Sequence, residues 1–223
     1  MEQLDIYKLE DAYDEIVALR ECGLRSILTH IENLEYDMRK KYDYSPIEAV
    51  TSRTKSFRSA MNKCEIRGLQ PCVETFREMH DVAGVRIITP FLDDVQRVRD
   101  ALMVRDTLKV VTEKDYINNP KTSGYRSLHL ICETRTALSE DYEWNIVEIQ
   151  IRTILQNAWC SLEHRLRYKK QDLTNGIAFE WAQLGDLFYE KDQQMMRLRD
   201  QNRTKGISGA KTLELELPAE VIN

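Results

Sequence analysis

Hydrophobic and polar residues alternate most clearly in the stretch 144–152. Three β-branched residues share one face of this stretch: Val147, Ile149 and Ile151. Three polar residues share the other face: Glu148, Gln150 and Arg152. A period of two among β-branched residues predicts a strand rather than a helix. One face of that strand enters a core, and the other carries its polar groups at intervals of roughly 7 Å.

Two explanations fit the polar face of this strand. It is either the wet face of an edge strand, or a face on which something polar is bound. A helical pattern begins at Thr153, directly after the strand. Glu148 is therefore predicted beside a strand-to-helix junction, which is a common place for catalytic groups and adds weight to the second explanation.

The spacing of apolar residues along the rest of the chain predicts further elements. Helices are expected over 4–41, 56–67, 72–80, 91–106, 153–169 and 177–201, with a short helix beginning at Ser45–Pro46. Strands are expected over 81–89, 108–111, 127–135 and 144–152. Breaks or turns are expected at Gly23, 138–141 and Asn175–Gly176, and a polar tail after Arg203.

This order of elements predicts an α+β fold, in which a mixed β-sheet of about five strands is surrounded by helices. We divide the chain into an N-terminal helical arm (1–44), a catalytic domain (45–170) and a C-terminal helix and tail (171–223). The arm carries no recognisable chemistry, so packing on the domain or on another subunit is its expected role.

Composition limits the kind of protein that this chain forms. Its 223 residues are 42% hydrophobic and 31% charged, and no apolar run approaches the roughly 20 residues that span a bilayer. The acidic N-terminus lacks the apolar core of a signal peptide, so a cytoplasmic protein is expected. The five cysteines form no CxxC pair, which favours reduced thiols over disulfides or a zinc site.

The net charge of −5 argues against a general nucleic-acid binder. Basic residues are nevertheless concentrated in one stretch, where only Glu65 opposes them: Arg53, Lys55, Arg58, Lys63 and Arg67. This stretch is either a local anion site or the solvated face of a helix.

Two acids are candidates for catalysis, Asp81 at the head of the strand 81–89 and Glu148. Carboxylates from neighbouring strands can share Mg²⁺, which takes oxygen ligands and substrate phosphates. Arg86 interrupts an apolar strand, and it requires an anionic partner because burying a free charge costs several kcal/mol. Tyr125 follows Gly124 in a turn-rich loop, where its ring either stacks on a base or is an ordinary turn aromatic.

The dipeptide His80–Asp81 also occurs in metal-dependent phosphohydrolases, which need further histidine and aspartate ligands. This chain has only three other histidines: His30, His129 and His164. Asp81 is also predicted at the start of a strand rather than within a long helix. The sequence therefore disfavours a hydrolase.

Several stretches together resemble the synthetase domain of the RelA/SpoT family, and more closely its stand-alone small alarmone synthetases. They are 80–87, 121–129 and 147–153, followed by Trp159 and Glu163–His164. The resemblance covers about Ser45 to Lys170. It implies a nucleotidyltransferase-like fold and the transfer of pyrophosphate from ATP to the 3′-hydroxyl of GDP or GTP, which makes (p)ppGpp.

The resemblance also implies roles for individual residues. Asp81 and Glu148 correspond to the Mg²⁺ ligands, with Glu148 placed to help deprotonate the 3′-hydroxyl. The ATP-binding set is Arg53, Lys55, Lys63 and Arg86, with the arginines flanking adenine and the lysines on phosphates. The GTP- or GDP-binding set is Lys121, Ser123, Tyr125, His129, Gln150, Arg152 and Asn157, with Tyr125 stacked on guanine and with Lys121 and His129 on phosphates.

The resemblance further implies a homotetramer with helical termini at its interfaces. The length leaves no room for a ribosome-binding extension or a hydrolase domain, so an enzyme that only synthesises is expected. A nucleotide or RNA regulator is possible. Two alternatives stay open, namely the same chemistry on an adenine nucleotide, and a degenerate nucleotide- or RNA-binding regulator.

Overall fold

The structure is a computed structural model that describes residues 3–42, 44–103, 108–137, 140–167 and 175–207. Its helices are α1 (Gln3–Lys41), α2 (Phe57–Arg67), α3 (Val73–Arg77), α4 (Leu92–Met103), α5 (Ile154–Arg167) and α6 (Asn175–Ile207). Its strands are β1 (Ala49–Thr54), β2 (Ala83–Thr89), β3 (Leu108–Asp115), β4 (Leu128–Ala137) and β5 (Tyr142–Thr153).

The strands form one mixed sheet in the order β1-β2-β5-β4-β3, which confirms the predicted fold class. β2 and β5 run parallel, and the other three neighbouring pairs are antiparallel. β5, which contains the stretch 144–152, is the central strand. The edge-strand explanation for its polar face is therefore wrong.

The core lies on one face of the sheet, where α1 and α4 cover it. Alternate residues of the three inner strands are buried there, including Val85, Ile87, Leu128, Leu130, Val147, Ile149 and Ile151. α1 adds Leu24, Ile27 and Ile31, and α4 adds Val95 and Val98 to the same cluster. Because one face is filled with apolar side chains, the alternate positions of the same strands point to the opposite face.

The break predicted at Gly23 is wrong, since α1 is continuous from Gln3 to Lys41. The glycine instead allows a close approach between α1 and β5. A Cβ at Gly23 would lie 2.6 Å from Cβ of Asn145, which is closer than two carbon atoms can pack. The residue thus serves helix–sheet packing rather than a bend.

The short helix predicted at Ser45–Pro46 is also wrong. The Ser45 hydroxyl bonds to the backbone of Ile47 at 2.6 Å instead of capping a helix. Strand β1 follows and pairs along β2, with Arg53 opposite Gly84. The sequence did not predict this strand.

The remaining elements differ from prediction mainly at their ends. β3 extends four residues beyond the predicted 108–111, and α6 runs through Gly206 to Ile207. The turn at Leu138–Ser139, the end of the predicted helix after residue 167, and the tail after residue 207 lie outside the described residues. In the ranges described, no helix combines the length and the apolar character that crossing a membrane requires.

Candidate active site

The polar face of the sheet carries most of the predicted site residues. In the register of β2 and β5, Gly84 lies opposite Glu148 and Arg86 opposite Gln150. In the register of β4 and β5, His129 also lies opposite Gln150. Side chains from three adjacent strands therefore meet around Gln150, as cross-strand neighbours do.

Asp81 lies in the turn that leads into β2, between two lysines. Its carboxylate is 2.5 Å from Nζ of Lys63 and 3.2 Å from Nζ of Lys55. Burial opposes ionisation of Asp81, but the hydrogen bonds and charges of the two lysines outweigh it and hold the pKa of Asp81 below its ordinary value. This group is therefore an ionised acid in a basic setting.

The carboxylate of Glu148 is held by a partner on each oxygen. Nδ1 of His129 lies 2.9 Å from Oε1, and Nε2 of Gln150 donates to Oε2 at 2.9 Å. Burial opposes ionisation of Glu148, and so does the charge of Asp81. The hydrogen bond and charge of His129 outweigh both and hold the pKa of Glu148 below its ordinary value.

Both carboxylates line one cavity, together with Arg53, Arg86 and Gln150. A second cavity of about 470 Å³ shares Arg53 and Arg86 and adds Tyr125 and Arg152. One side of it is formed by residues of α5: Cys160, Ser161, Glu163, His164 and Arg165. A further cavity of about 280 Å³ lies between α1, α3 and the start of β5, and none of the predicted site residues is among its described lining.

The two shared arginines lie close to one another and to the guanidinium group of Arg152. Burial and the neighbouring guanidinium groups of Arg152 and Arg53 lower the pKa of Arg86. Within the described residues, Nε of Arg86 is buried and has no hydrogen-bond partner. Like charges held together at the floor of a cavity indicate a binding site for an anionic or electron-rich ligand.

Tyr125 occupies the junction between this site and the loop before β4. Nζ of Lys121 lies 4.9 Å from the centre of its ring, and the ring of Trp159 packs against it. Gly124 has φ +85° and touches α6, where a Cβ would lie 2.8 Å from Ala182. The loop is thus fixed from one side by α6.

The structure brings ten of the thirteen predicted site residues into a single connected group. Within the described part of the chain, three lie outside the linings of the two site cavities and form no hydrogen bond or ion pair with the carboxylates: Lys121, Ser123 and Asn157. Lys121 still reaches the group through the ring of Tyr125.

One face of α5 lines the second cavity, and its residues had no role predicted from the sequence. Cys160, Glu163 and His164 follow an i, i+3, i+4 spacing, which places them on one side of a helix. That spacing, directly after the polar strand, is the signal that could have identified them. Thr51 and Ser52 of β1, which line the first cavity, were missed together with the strand itself.

The carboxylate pair is suited to a magnesium ion, because carboxylate oxygens are the type of ligand that Mg²⁺ prefers. Asp81 and Glu148 offer hard oxygen ligands on one cavity. Among the residues described, no group of three or more His, Cys, Asp or Glu side chains is placed to hold a metal. Mg²⁺ is commonly bound by one or two carboxylates, with water and substrate phosphates completing its shell.

A mixed sheet with two carboxylates beside clustered arginines and lysines defines a protein suited to chemistry on phosphate groups. Residues 52–173 match the family described as "Region found in RelA / SpoT proteins". The chain belongs to this family.

Relatives and solved structures agree with this assignment. The chain is 35% identical to the GTP pyrophosphokinase YwaC of Bacillus subtilis over 86% of this chain and 91% of the relative. It is 34% identical to the GTP pyrophosphokinase YjbM of the same organism over 70% and 74%. The crystal structure of small alarmone synthetase 2 from Bacillus subtilis superposes with a TM-score of 0.77 at 33% identity, covering 85% of this chain and 98% of that one. Small alarmone synthetase 1 from the same organism, bound to its product pppGpp, gives 0.76 at 28% identity over 84% and 97%.

Proposed function

We propose that this protein is an ATP:GTP (or GDP) 3′-pyrophosphotransferase that makes (p)ppGpp and only synthesises it. The single observation that carries the proposal is the cavity shared by Asp81, Glu148 and the two arginines Arg53 and Arg86. A cavity with two acids and several cations supplies what pyrophosphate transfer needs, namely charge neutralisation and in-line positioning. The names of the relatives in this family support the same activity.

Arg53, Arg86, Lys55 and Lys63 form the proposed ATP-binding set. The two arginines lie in both cavities, where their planar groups can flank adenine. The two lysines now pair with Asp81 and are placed to contact phosphates that approach this carboxylate. Phosphate binding at this point would bring further negative charge to the cluster of basic side chains.

The proposed acceptor set is Lys121, Ser123, Tyr125, His129, Gln150, Arg152 and Asn157. Tyr125 offers its ring to guanine, and Lys121 beside that ring offers a charge for the phosphates. Because Tyr125 shares the second cavity with Arg53 and Arg86, the two proposed nucleotide sets meet at one place. Such a meeting is necessary for direct transfer between two nucleotides.

Glu148 is the proposed acceptor of the proton from the 3′-hydroxyl. Its pKa below the ordinary value keeps it ionised and able to accept that proton. Asp81 and Glu148 are the proposed ligands of Mg²⁺, which when bound would neutralise charge on the transferred pyrophosphate. Lys55, Lys63 and the arginines add to that neutralisation from the protein side.

The experiment that tests this function is incubation of the protein with labelled ATP, Mg²⁺ and each of GDP, GTP, ADP and AMP. Label transferred to GDP or GTP is the expected result. Transfer to an adenine nucleotide would support the alternative acceptor, because stacking on Tyr125 does not distinguish purines. Nucleotide binding without transfer would indicate a degenerate regulator, although binding alone would not need both acids.

We also propose a homotetramer that is assembled through the helical termini. The apolar positions of α1 are largely used in the protein's own core, so exposed apolar residues of α6 support this proposal better. The proposal also includes a nucleotide or RNA regulator, to which no binding site is assigned. The proposed substrates favour a cytoplasmic location.

A further inference from the structure

Five side chains of the active site form a closed ring of hydrogen bonds. The distances between successive members are 2.9 Å from Glu148 to His129, 2.6 Å from His129 to Tyr125 and 2.7 Å from Tyr125 to Arg152. The ring continues with 2.6 Å from Arg152 to Gln150 and closes with 2.9 Å from Gln150 to Glu148. The hydroxyl of Tyr125 is thus connected to the proposed proton acceptor on both sides.

The donors in this ring follow from the chemistry of each group. Arg152 has no acceptor atom, so its Nη2 donates to the Tyr125 hydroxyl and to the amide oxygen of Gln150. The Gln150 amide nitrogen then faces Glu148 and donates to it. Nδ1–H of His129 donates to Glu148 whether the imidazole is neutral or charged. In the neutral ring Nε2 accepts the Tyr125 hydroxyl proton, and in the charged ring Nε2–H donates to the hydroxyl oxygen, so the bond to Tyr125 exists in both forms.

The ring depends on the strand register and on burial. His129 lies opposite Gln150, and Glu148 is two pairs further along the ladder on the same face, so the imidazole ring reaches the carboxylate diagonally. His129 and Arg152 are nearly buried, with 9% and 4% of their surface exposed. Little water competes for these bonds, and removal of one member leaves a buried group unpaired.

We propose that the Tyr125 hydroxyl is a positioning group that acts through His129 on Glu148. It fixes the orientation of the imidazole, which in turn presents Nδ1–H to the carboxylate. This inference rests on the proposed function, in which Glu148 accepts the proton of the acceptor hydroxyl. It assigns His129 to Glu148 rather than to a substrate phosphate, because both ring nitrogens already have protein partners. It also connects the acceptor loop to the catalytic carboxylate through His129.

The test is a double-mutant cycle with Tyr125→Phe and His129→Asn. The asparagine amide takes the place of Nδ1 and keeps a donor for Glu148, but it lacks the atom that faces Tyr125. Tyr125→Phe is expected to lower kcat by about 10- to 100-fold with the KM for GDP nearly unchanged, because the residue that orients a partner of the catalytic carboxylate is lost. In the His129→Asn background the same change should reduce kcat by less than about threefold.

Two further variants complete the kinetic test. His129→Ala should be at least about tenfold slower than His129→Asn, because only the asparagine retains the donor. Tyr116→Phe is the matched control: its ring packs edge-on against Tyr125 and His129, but its hydroxyl is not among the five bonds. It should keep the wild-type kcat. Normal kcat in Tyr125→Phe, effects that simply multiply in the double variant, or a loss confined to KM would each overturn the proposal.

The same cycle measured by denaturant unfolding separates this inference from the proposed function. Non-additive effects of the two substitutions on the unfolding free energy would support the ring even if the protein transferred pyrophosphate to no nucleotide. In that case only the proposed function would fail. Additive effects would overturn the link between Tyr125 and His129, whatever the enzyme's activity.

Discussion

The hydroxyl of Thr153 donates a hydrogen bond of 2.6 Å to the carboxylate of Asp192. Thr153 is the last residue of β5, and Asp192 lies in α6. The same threonine caps α5, since its Oγ1 accepts from the backbone of Gln156 and its backbone N–H donates to the Gln156 side chain, both at 3.1 Å. One residue therefore joins the central strand, the start of α5 and the middle of α6.

The Asp192 contact predicts a pH-dependent stability. Burial raises the pKa of Asp192 to about 6, although the bond from Thr153 favours the ionised form. Because the folded state binds this proton more tightly than the unfolded state, the stabilisation is present below the ordinary pKa and is lost as pH rises through about 6. Asp192 should therefore lower the free energy of unfolding of the wild type by about 1.4 kcal/mol per pH unit between about pH 4 and 6. Asp192→Asn should abolish this decrease.

Chemical unfolding at several pH values would check this prediction. The variant should be more stable than the wild type at pH 8 and close to it at pH 4. Asp11→Asn, a substitution at an exposed position of α1, is the control and should leave the pH dependence unchanged. Parallel pH curves for wild type and Asp192→Asn would contradict the buried-acid explanation.

The carboxylate pair predicts a loss of catalysis without a loss of fold. Asp81→Asn and Glu148→Gln each remove a charge while keeping the size of the side chain. Turnover should fall by about 10³-fold or more, as for other groups that stabilise charge in phosphoryl transfer. Circular dichroism should show an intact fold. Near-normal turnover in Glu148→Gln would refute the role proposed for this residue.

Local patterns were sufficient to predict the elements whose own sequence shows a regular spacing of apolar residues. The β5 stretch, β2 and the helix α2 follow from residues close in sequence. β1 lacks such a signal, because most of its residues are exposed on both faces. It exists through pairing with β2, which lies about thirty residues further along the chain. Such non-local pairing cannot be derived from a short window of residues.

In the candidate site, too, the chemical types of the residues could be predicted from the sequence, but the contacts between them could not. The chemical character of Asp81, Arg86 and Glu148 was predictable, because charges in apolar strands require a reason. The central position of β5 was not, since an edge strand with a wet face has the same alternation. The hydroxyl bond from Tyr125 to His129 depends on how a loop enters β4, and no motif specifies it.

Assembly is predicted from an apolar stripe on α6. Five exposed residues lie within about 80° of one another on the helix, at 100° per residue: Ile177, Leu184, Leu187, Met195 and Leu198. Asp192 and Arg199, which bond to the rest of the chain, lie outside this stripe, about 60° and 40° beyond its edge. The stripe predicts burial against a second copy.

Leu184→Glu combined with Leu198→Glu should therefore lower the molar mass that light scattering measures at micromolar concentration. Phe179→Glu is a matched control, because Phe179 is 64% exposed but lies on another side of α6. It should leave the mass unchanged. A wild-type monomer at this concentration would count against the proposed homotetramer.

The contact between Gly185 and Gly124 predicts a separate effect on the acceptor. A Cβ at Gly185 would overlap the carbonyl oxygen of Gly124, so Gly185→Ala must displace the loop that carries Tyr125. Arg126 bonds to Asp186 at 2.7 Å and braces the same loop, which keeps the shift local. The KM for GDP should rise roughly tenfold, a cost of about 1.4 kcal/mol, while the KM for ATP changes little.

Gly176→Ala provides the control for this change within the same helix. Among the described residues, no atom lies within 4 Å of a Cβ at Gly176, so this alanine should leave both KM values unchanged. It should also stabilise α6 by up to about 1 kcal/mol through helix propensity. Equal effects of the two substitutions on the KM for GDP would show that helix propensity, and not the loop contact, sets acceptor affinity. A larger effect of Gly185→Ala on ATP would instead place the loop at the donor nucleotide.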